Sequence, residues 1–498
     1  MASRSRLALV LVAVTCIVLT GCAAPEIPLP PETIPPGTVS GSPVDLTNQN
    51  SPLAAPFRNG NSYTPLITPG PYIGLLPVAG GLSAPMMIAA PDDGSGRLFV
   101  VDQVGIVRII GPDNALRDIP FLDVRDRMIS LTQGYDERGL LSLAFHPDYR
   151  RNGRVFVYYS APLQPGAPAG WCCTDRLSEF FVNTSNPDMV DPGSERILLS
   201  IDHPSFNHHG GPILFGPDDG YLYVAFGDGG GAGDTGIGHT PGGNAQDGST
   251  LLGKIIRIDI DRAGLGGRSY AIPPDNPFVS TPGILPEIYA MGFRNPAYLS
   301  FDPGDGHHLI AAVAGQQLFE SVYIITKGGN YGWNIREGTH CFNPSSYSRP
   351  PPAGSCPITG SRGEPLIGPI IELGHDLGSA IVGGSLYRGT TIPGMSGAYI
   401  FGDWSGNPSG GGSILVATPP EGMDISTYPD TAGAVTPQDN RMWTTREFRI
   451  ANTSRGRVDA FVRWIGEGPD HEIYVLTSRV TGPDSSTATG EVWKIAPP

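Results

Sequence analysis

One short pattern recurs through most of this chain and limits what it can become. A Pro-Asp or Asp-Gly turn is followed by an apolar strand, then a second strand close behind. Pro91-Asp92-Asp93-Gly94 leads into Arg97–Val101 and Gly105–Ile110, and His146-Pro147-Asp148 leads into Val155–Tyr159. Gly216-Pro217-Asp218 leads into Leu222–Val224 and Gly253–Asp259, and Asp302-Pro303-Gly304-Asp305 into Leu309-Ile310 and Val322–Ile325. A fifth unit lacks the turn but keeps Gly397–Asp403 and Ser413–Val416. A sixth runs from Gly468-Pro469-Asp470 through Glu472–Leu476 to Gly490–Ile495. Asp-Gly corners supply the positive φ that tight hairpins need. A sheet of a few strands cannot bury both faces alone, so repeated sheets must stack on neighbours. The fold class predicted is all-β: a six-bladed β-propeller with long connecting loops, over about residues 72–498. A β-sandwich is the alternative, but it rarely needs so many near-copies of one hairpin.

The 68 glycines and 51 prolines fall between short apolar runs, which suits turns rather than disorder. The net charge of −15 has no Lys/Arg cluster to offset it and argues against nucleic acid or anionic lipid as a main partner. The N-terminus reads differently. Arg4 and Arg6 precede an apolar run, Leu7–Leu19, too short for an ordinary spanning helix. It ends Leu19-Thr20-Gly21-Cys22, which resembles a bacterial lipoprotein signal. That resemblance implies removal of residues 1–21, lipid on Cys22, and an exported protein anchored in the periplasm or at the cell surface by acyl chains alone. A plain secretory signal with an incidental Cys is the simpler alternative. Residues 22–71, rich in Pro, Ser, Thr and Gly, read as a tether without a fold. Four cysteines remain: Cys172, Cys173, Cys341 and Cys356. Export favours disulfides. Cys341 with Cys356 would close a loop, but four cysteines allow three pairings and sequence does not choose.

Candidate chemistry gathers at Phe206-Asn207-His208-His209-Gly210-Gly211. This polar loop feeds the strand beginning at Ile213, and the next strand ends in Gly227-Asp228. Antiparallel strands can bring the start of a hairpin beside its end, so Asp228 is placed to orient His208 as a general base. Capping of the hairpin is the plainer role for the same residues. Arg294, after the strand Glu287–Phe293, could polarise a carbonyl or bind a carboxylate. Glu137 could accept hydrogen bonds from sugar hydroxyls. Gly229-Gly230-Gly231 lacks the Gly-Lys-Ser/Thr of a phosphate loop and reads as loop flexibility.

Several motifs stand in a telling order. They are Glu137–Leu141 with Ala144–Asp148, Asn207–Gly211, Leu252-Gly253-Lys254-Ile255, Phe293-Arg294-Asn295-Pro296 and Gly329-Asn330-Tyr331-Gly332-Trp333. Over about residues 80–497 the chain resembles the glucose/sorbosone dehydrogenase family, whose members include hedgehog-interacting-protein-like propellers. The resemblance implies six blades and oxidation of the C1 hydroxyl of a sugar by pyrroloquinoline quinone (PQQ), with an electron acceptor that sequence does not name. It implies His208 as the base, Asp228 as the carboxylate that orients it, and Arg294 with Asn295 beside the quinone. Glu137, His375 and Arg463 are the further implied cofactor contacts. Calcium would be held by the loop at Gly315 and Gln316, with Glu320 near it, since hard oxygen donors suit that ion. The chain departs from the family at these points. Glu137 stands where Gln is usual, Pro212 where Arg is, and His375 where a Lys binds cofactor. Glu320 is what is left of an acidic pair, and Arg463 of an arginine pair, with Phe461 in the other place. Two functions follow: a PQQ-dependent aldose dehydrogenase, or a non-catalytic propeller that binds carbohydrate or protein.

Overall fold

The computed structural model describes residues 67–498 apart from 305, 350–355, 376, 406–410, 424 and 426–441. The signal segment, Cys22 and nearly all of the tether lie outside the described residues. The described residues are strand-rich, with one α-helical turn among them at Tyr149–Asn152 and a short 3-10 turn at Leu265–Gly267.

Four sheets have four antiparallel strands each, in sequence order. The first holds Pro85–Ala89, Leu98–Asp102, Ile106–Ile110 and Leu122–Asp123; the second Leu140–Phe145, Arg154–Ala161, Cys173–Asn183 and Asn186–His203. The third holds Ile213–Phe215, Leu222–Phe226, Lys254–Ile258 and Ile288–Met291; the fourth Asn295–Phe301, Leu309–Ala314, Phe319–Ile325 and Ile371–Gly374. A two-stranded ribbon pairs Arg336–Glu337 with His340–Cys341, and the remaining sheet has eight strands. Ile381–Leu386, Tyr399–Asp403, Ser413–Thr418 and Thr444–Ile450 run antiparallel to one another. Thr444–Ile450 then pairs in parallel with the first strand of the chain, Thr68–Leu82. That strand pairs on its other edge with Gly490–Ala496, followed by Ile473–Ser478 and Phe461–Glu467. The N-terminal strand is therefore locked into the C-terminal sheet, which hides two edges that would otherwise be open to strange pairing.

The apolar patterning explains why the sheets stack. Side chains alternate faces along a strand. In Leu222–Phe226, Leu222, Val224 and Phe226 pack with Phe156 and Tyr158 of the second sheet. Tyr223 and Ala225 point the other way, against Leu309, Ala311 and Val313 of the fourth. Both faces are buried, so the strand is apolar throughout rather than alternating with polar residues. The same arrangement repeats around the molecule. Phe99 and Val101 meet Val155 and Val157, Ile310 and Val322 meet Tyr399 and Phe401, and Ile400 and Val416 meet Val462 and Val475. Finally Leu98 and Val100 of the first sheet meet Leu476 and Val492. The last contact joins the end of the series to its beginning, so the arrangement is propeller-like.

Cys341 and Cys356 are bonded, as the loop-closing pairing anticipates. Cys172 and Cys173 are unbridged.

Candidate active site

The hairpin of the third sheet builds the core of the site. The loop before Ile213 folds back over the end of Leu222–Phe226, so that Gly211 N–H donates to the Ala225 carbonyl (2.9 Å). Gly227 permits this: a Cβ there would collide with the His208 carbonyl. His208 itself has φ +63°, in the left-handed region that a residue with a side chain seldom occupies. The conformation is held by the His208 N–H, which donates to Glu137 Oε2 (2.7 Å).

His208 Nδ1 and Asp228 Oδ1 are 2.7 Å apart, both residues buried. Asp228 is itself fixed: Oδ2 accepts the indole N–H of Trp333 (2.8 Å) and Oδ1 the amide of Gly230 (3.1 Å). Burial alone would push this carboxyl up. The His208 imidazole and its hydrogen bond, helped by the Arg294 guanidinium, outweigh burial and hold it below the usual carboxylate range. With an ionised Asp228 accepting from Nδ1–H, the lone pair of His208 sits on Nε2, which makes no hydrogen bond to the described residues. A polarised imidazole with its basic nitrogen unoccupied is the geometry a general base requires.

Arg294 lies against the same group, with its guanidinium carbon 5.9 Å from the centroid of the Trp333 ring. Its hydrogen bonds are long, 3.4 Å to Gln316 Oε1 and 3.4 Å to the Ala314 carbonyl, and neither partner is anionic. Asn295 accepts the Gly210 amide (3.0 Å) and donates to Glu137 Oε2 (3.4 Å). Glu137 thus ties the His208 loop to Asn295, and its other oxygen accepts the Tyr135 hydroxyl. His208, Asp228, Arg294, Asn295 and Glu137 form one connected group.

The remaining candidates are placed differently. His375 Nε2 is 2.7 Å from Glu320 Oε1. Burial works against its charge, but the Glu320 bond prevails and raises His375. Glu320 also accepts the amides of Gly315 (3.1 Å) and Ile381 (3.0 Å), so its oxygens are committed. The amides of Gln316, Gln317, Leu318 and Phe319 converge on Glu337 Oε1 at 2.8–3.1 Å. With the N–H groups drawn to one side, the carbonyls of Gly315, Gln316 and Gln317 accept no hydrogen bond from the described residues. Arg463 donates to the Thr481 carbonyl (2.8 Å) and Gln103 Oε1 (2.9 Å), again without a carboxylate partner.

A cavity of about 580 Å³ opens among the sheets, with Glu137, Asn295, Arg463, His209 and Gly210 in its wall. His208, Arg294 and His375 are not part of that wall. His208 adjoins the wall through its backbone N–H, which is bonded to Glu137, and Arg294 through its chain neighbour Asn295. A narrow crevice of about 20 Å³ runs past Arg294, Gly315 and Trp333.

Sequence reasoning did not find Trp333 as the support of Asp228, or Glu337 as the anchor of the 315–319 loop. It also read Lys254 only as a motif residue. Lys254 is fully buried, and burial pushes it down to about 7. Its ammonium donates to the carbonyls of Asn244 and Leu252, which braces the long loop after Asp228. His209, the neighbour of the candidate base, has a partner of its own. Its Nδ1 is 2.8 Å from Asp175 Oδ2, and its ring stacks on His203 with centroids 3.9 Å apart.

The model of the Glucose / Sorbosone dehydrogenase family matches residues 82–407. The chain belongs to this family. It is 32% identical over 444 residues to the HIPL1 protein of Arabidopsis thaliana, covering 79% of this chain and 60% of that protein. It is 28% identical over 431 residues to the Hedgehog-interacting protein of Mus musculus, covering 84% of this chain and 52% of that one. The chain thus spans roughly half to three-fifths of these relatives' length. Among solved structures it resembles the PQQ-bound form of the aldose sugar dehydrogenase of Streptomyces coelicolor. The TM-score is 0.57 at 20% identity, over 87% of this chain and 99% of the other, and that likeness speaks for the fold.

Proposed function

We propose that this chain is a sugar dehydrogenase that oxidises the C1 hydroxyl of an aldose, the hydroxyl losing a proton and C1 a hydride, with PQQ as its cofactor. The observation that carries this reading is the His208–Asp228–Trp333 chain, which leaves His208 Nε2 unengaged, with the guanidinium of Arg294 over the Trp333 ring. His208 Nε2 takes the proton of the C1 hydroxyl. Asp228, ionised and only 2.7 Å away, stabilises the imidazolium that forms. Trp333 keeps Asp228 from turning. Arg294 offers positive charge to a developing oxyanion or a carboxylate.

The residues fit the cofactor. PQQ carries three carboxylates, and Arg294 and Arg463 both lack an ion-pair partner among the described residues. The open carbonyls of Gly315, Gln316 and Gln317 are the hard donors a calcium ion prefers, while Glu320 is spent on His375. When bound, the quinone supplies the two-electron acceptor that no side chain provides. Glu137, an acid in the midst of this group, weakens the fit.

We infer further that the eight-stranded sheet is two blades joined by the parallel pair of Thr68–Leu82 with Thr444–Ile450, which makes six blades in all. We also propose that the protein is exported and anchored through Cys22. Labelling with a radioactive fatty acid that persists in Cys22→Ser would remove that anchor.

The test of function is dye reduction by the purified chain across a panel of aldoses, with and without PQQ and calcium. Turnover that needs all three supports the proposal, and no rate above the apoprotein on any sugar opposes it. The second reading is a carbohydrate- or protein-binding propeller. It is favoured by Glu137, whose charge repels a triply acidic ligand, and by the likeness to hedgehog-interacting proteins. Saturable sugar binding without turnover would favour it.

A further inference from the structure

One residue beyond the proposed base, the chain enters a cluster of different chemistry. Cys172 and Cys173 stand at the start of a strand of the second sheet. The Cys172 amide donates to the His203 carbonyl (3.0 Å), and Cys173 pairs with His203 in the ladder. Asp175 lies two residues on, which puts it on the same face as Cys173. The Cys173 sulfur, an Asp175 oxygen and a His209 ring nitrogen lie within 4.8 Å of one another, in three buried residues.

The hydrogen bonds define what each atom has left. Asp175 Oδ1 accepts the Ser160 hydroxyl (2.7 Å) and Oδ2 faces His209 Nδ1. His209 Nε2 then has no partner and no contact with solvent. Buried polar atoms are rarely left unsatisfied, and one that is asks for a ligand. Arg138 Nη1 is 3.5 Å from the Cys172 sulfur, a neighbour that favours the thiolate. A carboxylate behind the far nitrogen of an imidazole is also the usual outer support of a metal-bound histidine.

We propose that Cys172, Cys173 and His209, backed by Asp175, bind a thiophilic cation of the Zn²⁺ or Cu⁺ class. Thiolate and imidazole donors select such ions over calcium. Ligands of a tetrahedral zinc stand roughly 3.3–3.8 Å apart for bonds of about 2.0–2.3 Å, so Cys173 and His209, now within 4.8 Å of each other, approach by about 1 Å, and Cys172 is the chain neighbour that supplies the further thiolate. Entry is through the central cavity, whose wall includes His209. The site shares no ligand with the Gly315–Gln317 carbonyls.

The test uses the purified full chain, reduced under conditions that leave Cys341–Cys356 bonded, and Zn²⁺ alone. After dialysis against a weak chelator, metal content is measured, and iodoacetamide labelling of Cys172 and Cys173 is followed by mass spectrometry with and without zinc. One zinc per chain is expected, with both thiols protected by the ion, and Co²⁺ in its place gives a near-ultraviolet thiolate-to-metal absorption. Cys173→Ser and His209→Gln are each expected to lower zinc affinity at least 100-fold. The wild-type labelling decides the matter if these variants do not fold. The proposal is overturned if the reduced chain retains no zinc and both thiols label at one rate regardless of the ion. It is equally overturned if the two sulfurs bond to each other in preference to holding zinc. None of these readouts involves the quinone or sugar turnover.

Discussion

His208 and His209 are neighbours in sequence, and each has a buried aspartate on its Nδ1, at 2.7 and 2.8 Å. Their chemistry diverges at the other nitrogen. Nε2 of His208 makes no hydrogen bond to the described residues, whereas Nε2 of His209 is sealed away from solvent without a partner. The surroundings differ in the same way. Asp228 is braced by an indole N–H and feels the Arg294 guanidinium; Asp175 is braced by a serine hydroxyl and lies near the Cys173 thiol. An Asp–His pair therefore does not define a function. What fronts the remaining nitrogen does, and here one pair is a candidate base and the other a candidate ligand set.

The comparison breaks most readily at the base. His208→Ala is expected to lower kcat by about 10²–10⁴-fold while PQQ affinity stays within a few-fold, because a general base acts on the transition state. His209→Ala should leave a far larger share of turnover. Steady-state kinetics on the two variants, with a PQQ titration of each, checks both, and equal losses would erase the distinction between the histidines.

Asp175→Asn comes next. Burial alone would push Asp175 up and His209 down, but their mutual attraction reverses both, so the pair is held ionised in the metal-free chain and a bound ion would displace the Nε2 proton of His209. Removing one buried charge strands the other, at a cost of about 3–5 kcal/mol. Urea unfolding should show this loss in metal-free protein, and a change under 1 kcal/mol would mean that His209 is neutral.

His203 sharpens the contrast through pH. Both of its ring nitrogens face carbonyls, of Ser205 and His208, which favours its protonated form. Burial and then the charge of His209 outweigh this and push it down to about 4. The unfolded chain, with a histidine near 6.5, takes up a proton that the folded chain refuses. The stability contributed is full above about pH 6.5 and is lost as pH falls toward 4, amounting to roughly 3 kcal/mol. Unfolding measured between pH 7 and 4.5 should have a clearly shallower slope in His203→Gln than in the wild type. Parallel slopes would count against a neutral His203.

The smallest effect is expected at Glu137. Glu137→Gln keeps an acceptor for the His208 amide and removes a negative charge from the cofactor site. PQQ should bind about tenfold tighter, equivalent to about 1.4 kcal/mol, with stability changed little. Unchanged or weaker affinity would indicate that the carboxylate does not face the quinone.

Much of this was legible in the chain. The turn-and-strand pattern marked most of the sheets because each hairpin is a local event. Asp228 could be matched to His208 because they flank one hairpin, twenty residues apart. What lay beyond reach was carried by distant contacts. Trp333 reaches Asp228 across 105 residues, and Asp175 reaches His209 across 34, from another sheet. The tether was read as running to residue 71 and no strand was assigned before Pro91, yet Thr68–Leu82 joins the two halves of the last sheet, a pairing with no local signal. His375 and Glu320 were assigned to separate tasks, cofactor and metal, and the structure bonds them to each other because both end at the same sheet edge.

The most direct test is a calorimetric titration of the full chain with PQQ, run with calcium and again with a chelator, followed by aldose turnover in the same cell. The account predicts saturation at one PQQ per chain only with calcium, and turnover that His208→Ala abolishes. No binding heat in either buffer, with no turnover on any sugar, would contradict it.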